Sequence, residues 1–383
     1  MRAARIAGLI VAAGYSSRMG AFKPLLPLGE KTVIETAVDS LRLGGAADIR
    51  VVVGYRAEDL YSVLGRRKVG IIHNLRYSDG MFSSIVAGVR TLTDGVDAFL
   101  LLPVDIPLIR RHSIKELVRV YRETGAAVIY PVFNGQRGHP PLISAKCFAS
   151  ILNADGIGGL RPVLEQFADN SVEVEVADSG ILLDMDNRQE YQQLVGFQMR
   201  RHIPTYDEGL VLFRKYQVSD SVMRHGQAVA KIGRHIAELL NDAGLQLNTE
   251  LIFAAGLLHD LAKGKPNHAK RGERVLKTKE FPDLAGIVGS HMNLDFEAGQ
   301  AVDETAIVFL ADKVVHGNKV VPLDARFKPA QEKFADNPAI LNIVLQRKRT
   351  AEVIWGQIAA ILGIRNFELK LTGGEVYEAH LLK

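Results

Sequence analysis

The chain has 383 residues, enough for two domains, with 47% hydrophobic residues, 23% charged residues and a net charge of +4. This ordinary globular balance excludes disordered and fibrous classes, speaks against a nucleic-acid-binding surface, and contains no run of about 20 apolar residues that would span a membrane. The lone cysteine, Cys147, forbids an intrachain disulfide and suits a reducing cytoplasm, where it reads as a small core residue.

The first element is the apolar run from Ile6 to Ala13. With Arg2 and Arg5 ahead of it, the run imitates a signal peptide, although it is too short to cross a bilayer. It equally reads as a buried strand, and Arg18 and Lys23 beyond it would be odd in a cleaved leader. Further short apolar runs follow at 49–53, 70–73, 98–104, 126–130 and 172–176. Helical stretches lie between them at 32–43, 83–92 and 113–124. Strands alternating with helices predict a Rossmann-like, three-layer α/β domain with a mostly parallel sheet and its ligand at the carboxyl ends of the strands.

From about Gly196 the strand-like runs give way to long helical periods. Val222, Val229, Ile232, Ile236 and Leu239 recur on one helix face. Residues 250–263 are apolar almost throughout and read as a buried central helix, and 305–315 and 339–362 continue the pattern. The run Gln346-Arg347-Lys348-Arg349 reads as a solvated helix end. We divide the chain into an α/β domain over 1–198 and an all-α domain over 199–383. The tail from Phe367 has a β-like alternation without an evident place.

Three features of the first half carry chemistry. The loop Ala12-Ala13-Gly14-Tyr15-Ser16-Ser17-Arg18-Met19-Gly20 follows the first strand, where small residues let consecutive N–H groups approach an anion. Arg18 adds a planar fork and Lys23 a compact charge. It is neither a Walker A loop nor a dinucleotide fingerprint. Phe99–Val104 runs into Asp105, a carboxylate at a strand end that suits Mg²⁺ or else caps the next helix. Asp184-Met185-Asp186 sits in a similar position later, so Asp105 and Asp186 can converge on one ion.

Together these residues resemble the MobA-like nucleotidyltransferase family, whose phosphate-loop signature is matched from Val11 to Lys23. Within it the Ala12-Ala13-Gly14 opening and Gly138-His139-Pro140 resemble the molybdenum cofactor cytidylyltransferases, and Gly80-Met81-Phe82-Ser83-Ser84 resembles the family's base and ribose segment. The resemblance implies that Ala12, Ala13, Gly14, Ser16 and Ser17 cradle a triphosphate, CTP by preference, with Gly80 and Ser84 near its nucleoside. It implies Arg18 and Lys23 as neutralising catalytic groups and Asp105 and Asp186 as Mg²⁺ ligands. Asn187-Arg188 departs from the family's Thr-Pro after that carboxylate. His139 is assigned to the acceptor side, or to a structural turn. The reaction implied is CMP transfer to molybdopterin with release of pyrophosphate, with a molybdoenzyme as recipient of the product. Alternatives are a sugar phosphate or other phosphorylated acceptor, and a nucleotide sensor controlling the second domain.

In the helical half, His225, His259-Asp260 and Asp312 each end or interrupt an apolar run, where such groups are costly unless paired. The set resembles the HD metal-dependent phosphohydrolases, with Leu257–Lys263 close to their core helix. The resemblance implies a divalent metal, Mn²⁺, Fe²⁺, Ni²⁺ or Mg²⁺, held by His225, His259, Asp260 and Asp312. His268 and His291 are placed for a second ion or are surface residues, and Lys263 serves substrate phosphate or the helix end.

Overall fold

The computed structural model describes residues 4–92, 95–364, 369–372 and 375–378. Contacts divide the chain into two compact units, Met1–Arg201 and His202–Lys383.

The first unit is built on an eight-stranded sheet: β1 (Ile6–Ala12), β2 (Asp48–Val53), β3 (Gly70–His73), β4 (Ala98–Pro103), β5 (Val128–Phe133), β6 (Gln136–Arg137), β7 (Leu142–Ser144) and β8 (Ser171–Glu175). The order is β8-β5-β7-β4-β1-β2-β3, with β6 paired to β5. β4, β1, β2 and β3 run parallel, whereas β7 is antiparallel to both β4 and β5. β1 is buried along its whole length, so the leader-like run is a central strand. Strands covered on both faces must be apolar at every position, which is why they read as continuous runs.

Helices α1 (Val33–Gly44), α2 (Ala57–Arg67), α3 (Met81–Thr91) and α4 (Arg111–Thr124) connect the strands, followed by the short α5 (Phe148–Asn153) and α6 (Arg161–Glu165) and by α7 (Arg188–Arg200). α1 starts at a capping box in which Thr32 and Glu35 satisfy each other's backbone N–H. One core cluster joins Leu9, Val11, Phe99, Leu101, Ile143, Cys147 and Phe148. Each such large apolar side chain contributes about 1.5–3 kcal/mol on burial.

The second unit contains α8 (Tyr206–Lys215), α9 (Asp220–Asp242), α10 (Thr249–Leu258), α11 (His268–Thr278), α12 (Pro282–Ser290), α13 (Glu304–Val314), α14 (Leu323–Lys333) and α15 (Pro338–Leu362). α10 packs on α9, α12 and α13. Its face of Ile252, Ala254, Ala255, Leu257 and Leu258 is closed from solvent. On α9 the core stripe is Val229, Ile232, Ile236 and Leu240, with glycine and alanine between, while Val222 and Leu239 are half-buried.

Two expectations are corrected. The basic run at 346–349 lies inside the 25-residue helix α15, and Arg347 is half-buried rather than solvated. The buried helix expected over 250–263 ends at Leu258, and 259–264 are turns that carry His259 and Asp260 outward from it. The backbone of the tail forms an antiparallel pair, Leu369–Thr372 with Glu375–Glu378. Among the described residues no helix is long and apolar enough to cross a membrane.

Candidate functional site

A cleft of about 270 Å³ opens at the carboxyl ends of β1 and β4, lined by Ala12, Ala13, Gly14, Tyr15, Ser16, Lys23, Gly80, Ser84 and Asp105 among others. Backbone hydrogen bonds hold the loop in place, from Tyr55 N to Ala13 O at 3.2 Å and from Val104 N to Val11 O at 3.1 Å. Ser16 turns the chain with φ +57°, and its hydroxyl accepts from Lys23 N at 3.2 Å. A Cβ added at Gly14 or Gly80 would meet no protein atom within 4 Å, so both glycines present bare backbone to the cleft. Ser17 and Arg18 lie outside the lining, exposed at the rim.

The charged side chains converge on Lys23, a lysine only 8% exposed. Its ammonium donates to Asp186 Oδ1 at 2.8 Å and lies 3.5 Å from Asp105 Oδ2. Arg18 reaches the other Asp186 oxygen at 2.7 Å. One cation therefore already sits between the two predicted carboxylates, which lie far apart in sequence. Asp105 is no helix cap, because α4 begins only at Arg111 after Arg110. The departure at Asn187 also has a local reason. Asn187 is the N-cap of α7 and accepts from Gln189 and Glu190 N–H, with Glu190 completing a capping box, and this anchors Asp186 at the helix entrance.

Hydrogen bonding from Lys23, reinforced by Arg18, holds the Asp186 carboxyl below its ordinary range. Asp184 moves the other way: burial raises it, helped by repulsion from Glu190, Asp186 and Asp105. Three carboxylates, Asp105, Asp184 and Asp186, against two cations, Lys23 and Arg18, leave a surplus of negative charge that suits a divalent cation. His139 is absent from the cleft lining. Its backbone N–H donates to Ile181 O at 2.9 Å, and burial pulls its imidazole below the ordinary value.

Sequence reasoning missed four residues here. Asn74 is buried after β3 and donates to both Ser83 and Ser84, so it fixes the entrance of α3 beside Gly80. Tyr15, Tyr55 and Tyr77 form an aromatic group at the cleft, with ring centroids 5.2 and 5.4 Å from Tyr15. Only a glycine at position 54 permits this, since a Cβ there would lie 2.6 Å from that of Tyr77. No periodicity connects positions 15, 55 and 77, so only the Gly54 turn could have hinted at the group.

In the second unit the six predicted ligands assemble at helix ends. His259 follows α10, His291 follows α12, His268 opens α11, Asp312 lies near the end of α13, and His225 sits in the first turns of α9. Candidate ligand atoms of His225, His259 and Asp260 lie within 4.8 Å of one another, as do those of Asp260, His268 and His291. Asp312 Oδ1 is 3.1 Å from His225 Nε2 and 3.5 Å from His259 Nε2. Three imidazoles are oriented by their backs. Nδ1 of His259, His291 and His225 pairs with the carbonyls of Gly256, Val288 and Gly317 at 2.7, 2.7 and 2.9 Å. This leaves each Nε2 as the ligating face.

Nε2 of His259, His268 and His291 and Oδ1 of Asp260 are buried without a hydrogen-bond partner. Buried groups are seldom left so, and these four, divided between two ligand triads that share Asp260, fit bound metal. Burial opposes ionisation of Asp260, but the imidazoles of His259, His268 and His291 around it hold its carboxyl well below the usual range. Burial likewise opposes charge on His259, and the carboxylates of Asp260 and Asp312 overcome it, pushing its pKa up to about 10. The pocket thus favours a cation. Lys263 Nζ lies 2.7 Å from Asp260 Oδ2 and is half-exposed.

A phosphate-loop cleft at the strand ends and a histidine–aspartate centre on helix ends define a two-part enzyme, a nucleotidyltransferase domain joined to an HD phosphohydrolase domain. The MobA-like NTP transferase domain matches residues 8–172, and the HD domain matches 222–316. The molybdenum cofactor cytidylyltransferase of Escherichia coli (strain K12) is 31% identical over 184 residues, 48% of this chain and 92% of that protein. The bifunctional protein GlmU of Symbiobacterium thermophilum is 33% identical over 124 residues, 32% of this chain and 26% of that protein. Among solved structures, Rv0371c from Mycobacterium tuberculosis H37Rv superposes with a TM-score of 0.46 at 21% identity, covering 51% of this chain and 100% of that one. The chain belongs to the MobA-like nucleotidyltransferase family, with an HD domain as its second part.

Proposed function

We propose that the first unit transfers CMP from CTP to the terminal phosphate of molybdopterin, releasing pyrophosphate. The observation that carries this reading is the convergence of Asp105 and Asp186 on Lys23 beside the open backbone of Ala12–Ser16. The loop N–H groups and Gly14 receive the triphosphate, and Lys23 and Arg18 offset its charge. Asp105 and Asp186 are the residues that would hold Mg²⁺, which when bound neutralises the leaving pyrophosphate. An acceptor phosphate oxygen attacks the α-phosphorus as the bond to pyrophosphate breaks. The nucleophile is already ionised, so no side chain need remove a proton, and the site works by positioning and charge.

The second unit hydrolyses a phosphate ester. His225, His259, Asp260 and Asp312 would hold one divalent ion, and Asp260, His268 and His291 a second, which supplies an activated water. Mn²⁺, Fe²⁺, Ni²⁺ and Mg²⁺ all suit these ligands. The two units are taken as separate domains, dividing near residue 200.

Specificity is tested by giving the full chain each nucleoside triphosphate with Mg²⁺ and either molybdopterin or a sugar phosphate, and measuring pyrophosphate. Release is expected with CTP and molybdopterin. A strong signal with a sugar phosphate and none with molybdopterin would replace the acceptor, and release with no acceptor dependence would remove the transferase reading.

A further inference from the structure

Beside the histidine–aspartate centre, a buried lysine is paired with one carboxylate and has two arginines in its neighbourhood. Lys313 is 5% exposed, pairs with Asp312 and donates to the carbonyl of His291 at 3.1 Å. Arg326 and Arg347 both lie within electrostatic reach of Lys313, and Arg347 also feels Asp312. Neither arginine is matched. Arg326 Nε is buried without a hydrogen-bond partner. Arg347 spends its Nε on Asn293 Oδ1 at 3.0 Å, and among the described residues its two terminal nitrogens have no acceptor.

Of these groups Arg347 borders a second cleft of about 250 Å³, lined also by Asn293, Gln346 and Thr350 and reached only two residues beyond His291. Thr350 is 8% exposed. Asp295, the one acidic group of the lining, is exposed at the rim.

We propose that this cleft is an anion subsite of the second unit, in which Arg347 and Thr350 hold a phosphate group of the molecule being hydrolysed. The proposal rests on the reading of the neighbouring cluster as a hydrolytic metal centre. A guanidinium fork and a hydroxyl match tetrahedral oxyanions in geometry and charge. The substrate class is therefore a small molecule with a second phosphate beside the one cleaved, such as a nucleoside or sugar bisphosphate.

The test is calorimetric titration of the full chain with inorganic phosphate, in an Arg18→Ala, Lys23→Ala background that disables the other phosphate loop, at matched metal content. Arg347→Gln should weaken binding about tenfold and Thr350→Val about threefold. Arg347→Lys, which keeps the charge, should fall between wild type and Arg347→Gln and guards against a folding defect. Unchanged affinity in the arginine variants, or binding lost only when His259→Ala removes the metal, would overturn the proposal. Metal content measured on the same samples reports separately on the hydrolytic reading: phosphate bound at Arg347 without any metal would refute that reading alone.

Discussion

Lys23 concentrates the chemistry of the first unit at the scale of one residue. A buried ammonium is tolerated only when paired, and here Asp186 and Asp105 pair it, with Ser16 fixing its backbone. His139 lies nearby but is poorly suited as a base, because burial keeps its imidazole neutral further into acid. Asp186, held low by Lys23, stays ionised throughout the working range. The acid limb of the rate profile should therefore follow the acceptor phosphate, whose second ionisation falls at about pH 6. We expect kcat/KM against pH to keep its shape in His139→Gln; a limb that shifts or vanishes would make His139 a proton carrier.

At the scale of elements, close packing of α9 on α10 sets the metal centre. A Cβ at Gly226 would lie 2.3 Å from the carbonyl oxygen of Leu257, two residues before His259. Gly226→Ala should cost the helical unit about 3 kcal/mol and lower bound metal, read by thermal melting and metal analysis. An unaltered melting temperature would show that α10 is free to shift. This scale also shows what the sequence makes legible. The parallel strands announce themselves because full burial demands unbroken apolar runs, as in Ile6–Ala12 and Ala98–Pro103. The histidine–aspartate cluster does so because polar groups at the ends of apolar runs need partners. The three-residue strand β7 is too short to carry a pattern, and its antiparallel entry into the sheet leaves no local trace. Arg347 reads as solvent-facing among its charged neighbours because a basic run carries no sign of what packs over it.

At the scale of the molecule, Met1–Arg201 and His202–Lys383 each carry a core and a site built from their own residues. On the proposed reading each site pairs a carboxylate group with a place for phosphate, in one case backbone N–H and Lys23, in the other Arg347. The central claim is that the first unit performs nucleotidyl transfer independently of the helical centre. The direct measurement is pyrophosphate release from CTP and molybdopterin by wild type, by Asp105→Asn, and by a chain carrying His259→Ala and Asp260→Ala. The account predicts a loss of at least about 100-fold in Asp105→Asn and an undiminished rate in the helical double variant. Release unaffected by Asp105→Asn would contradict it.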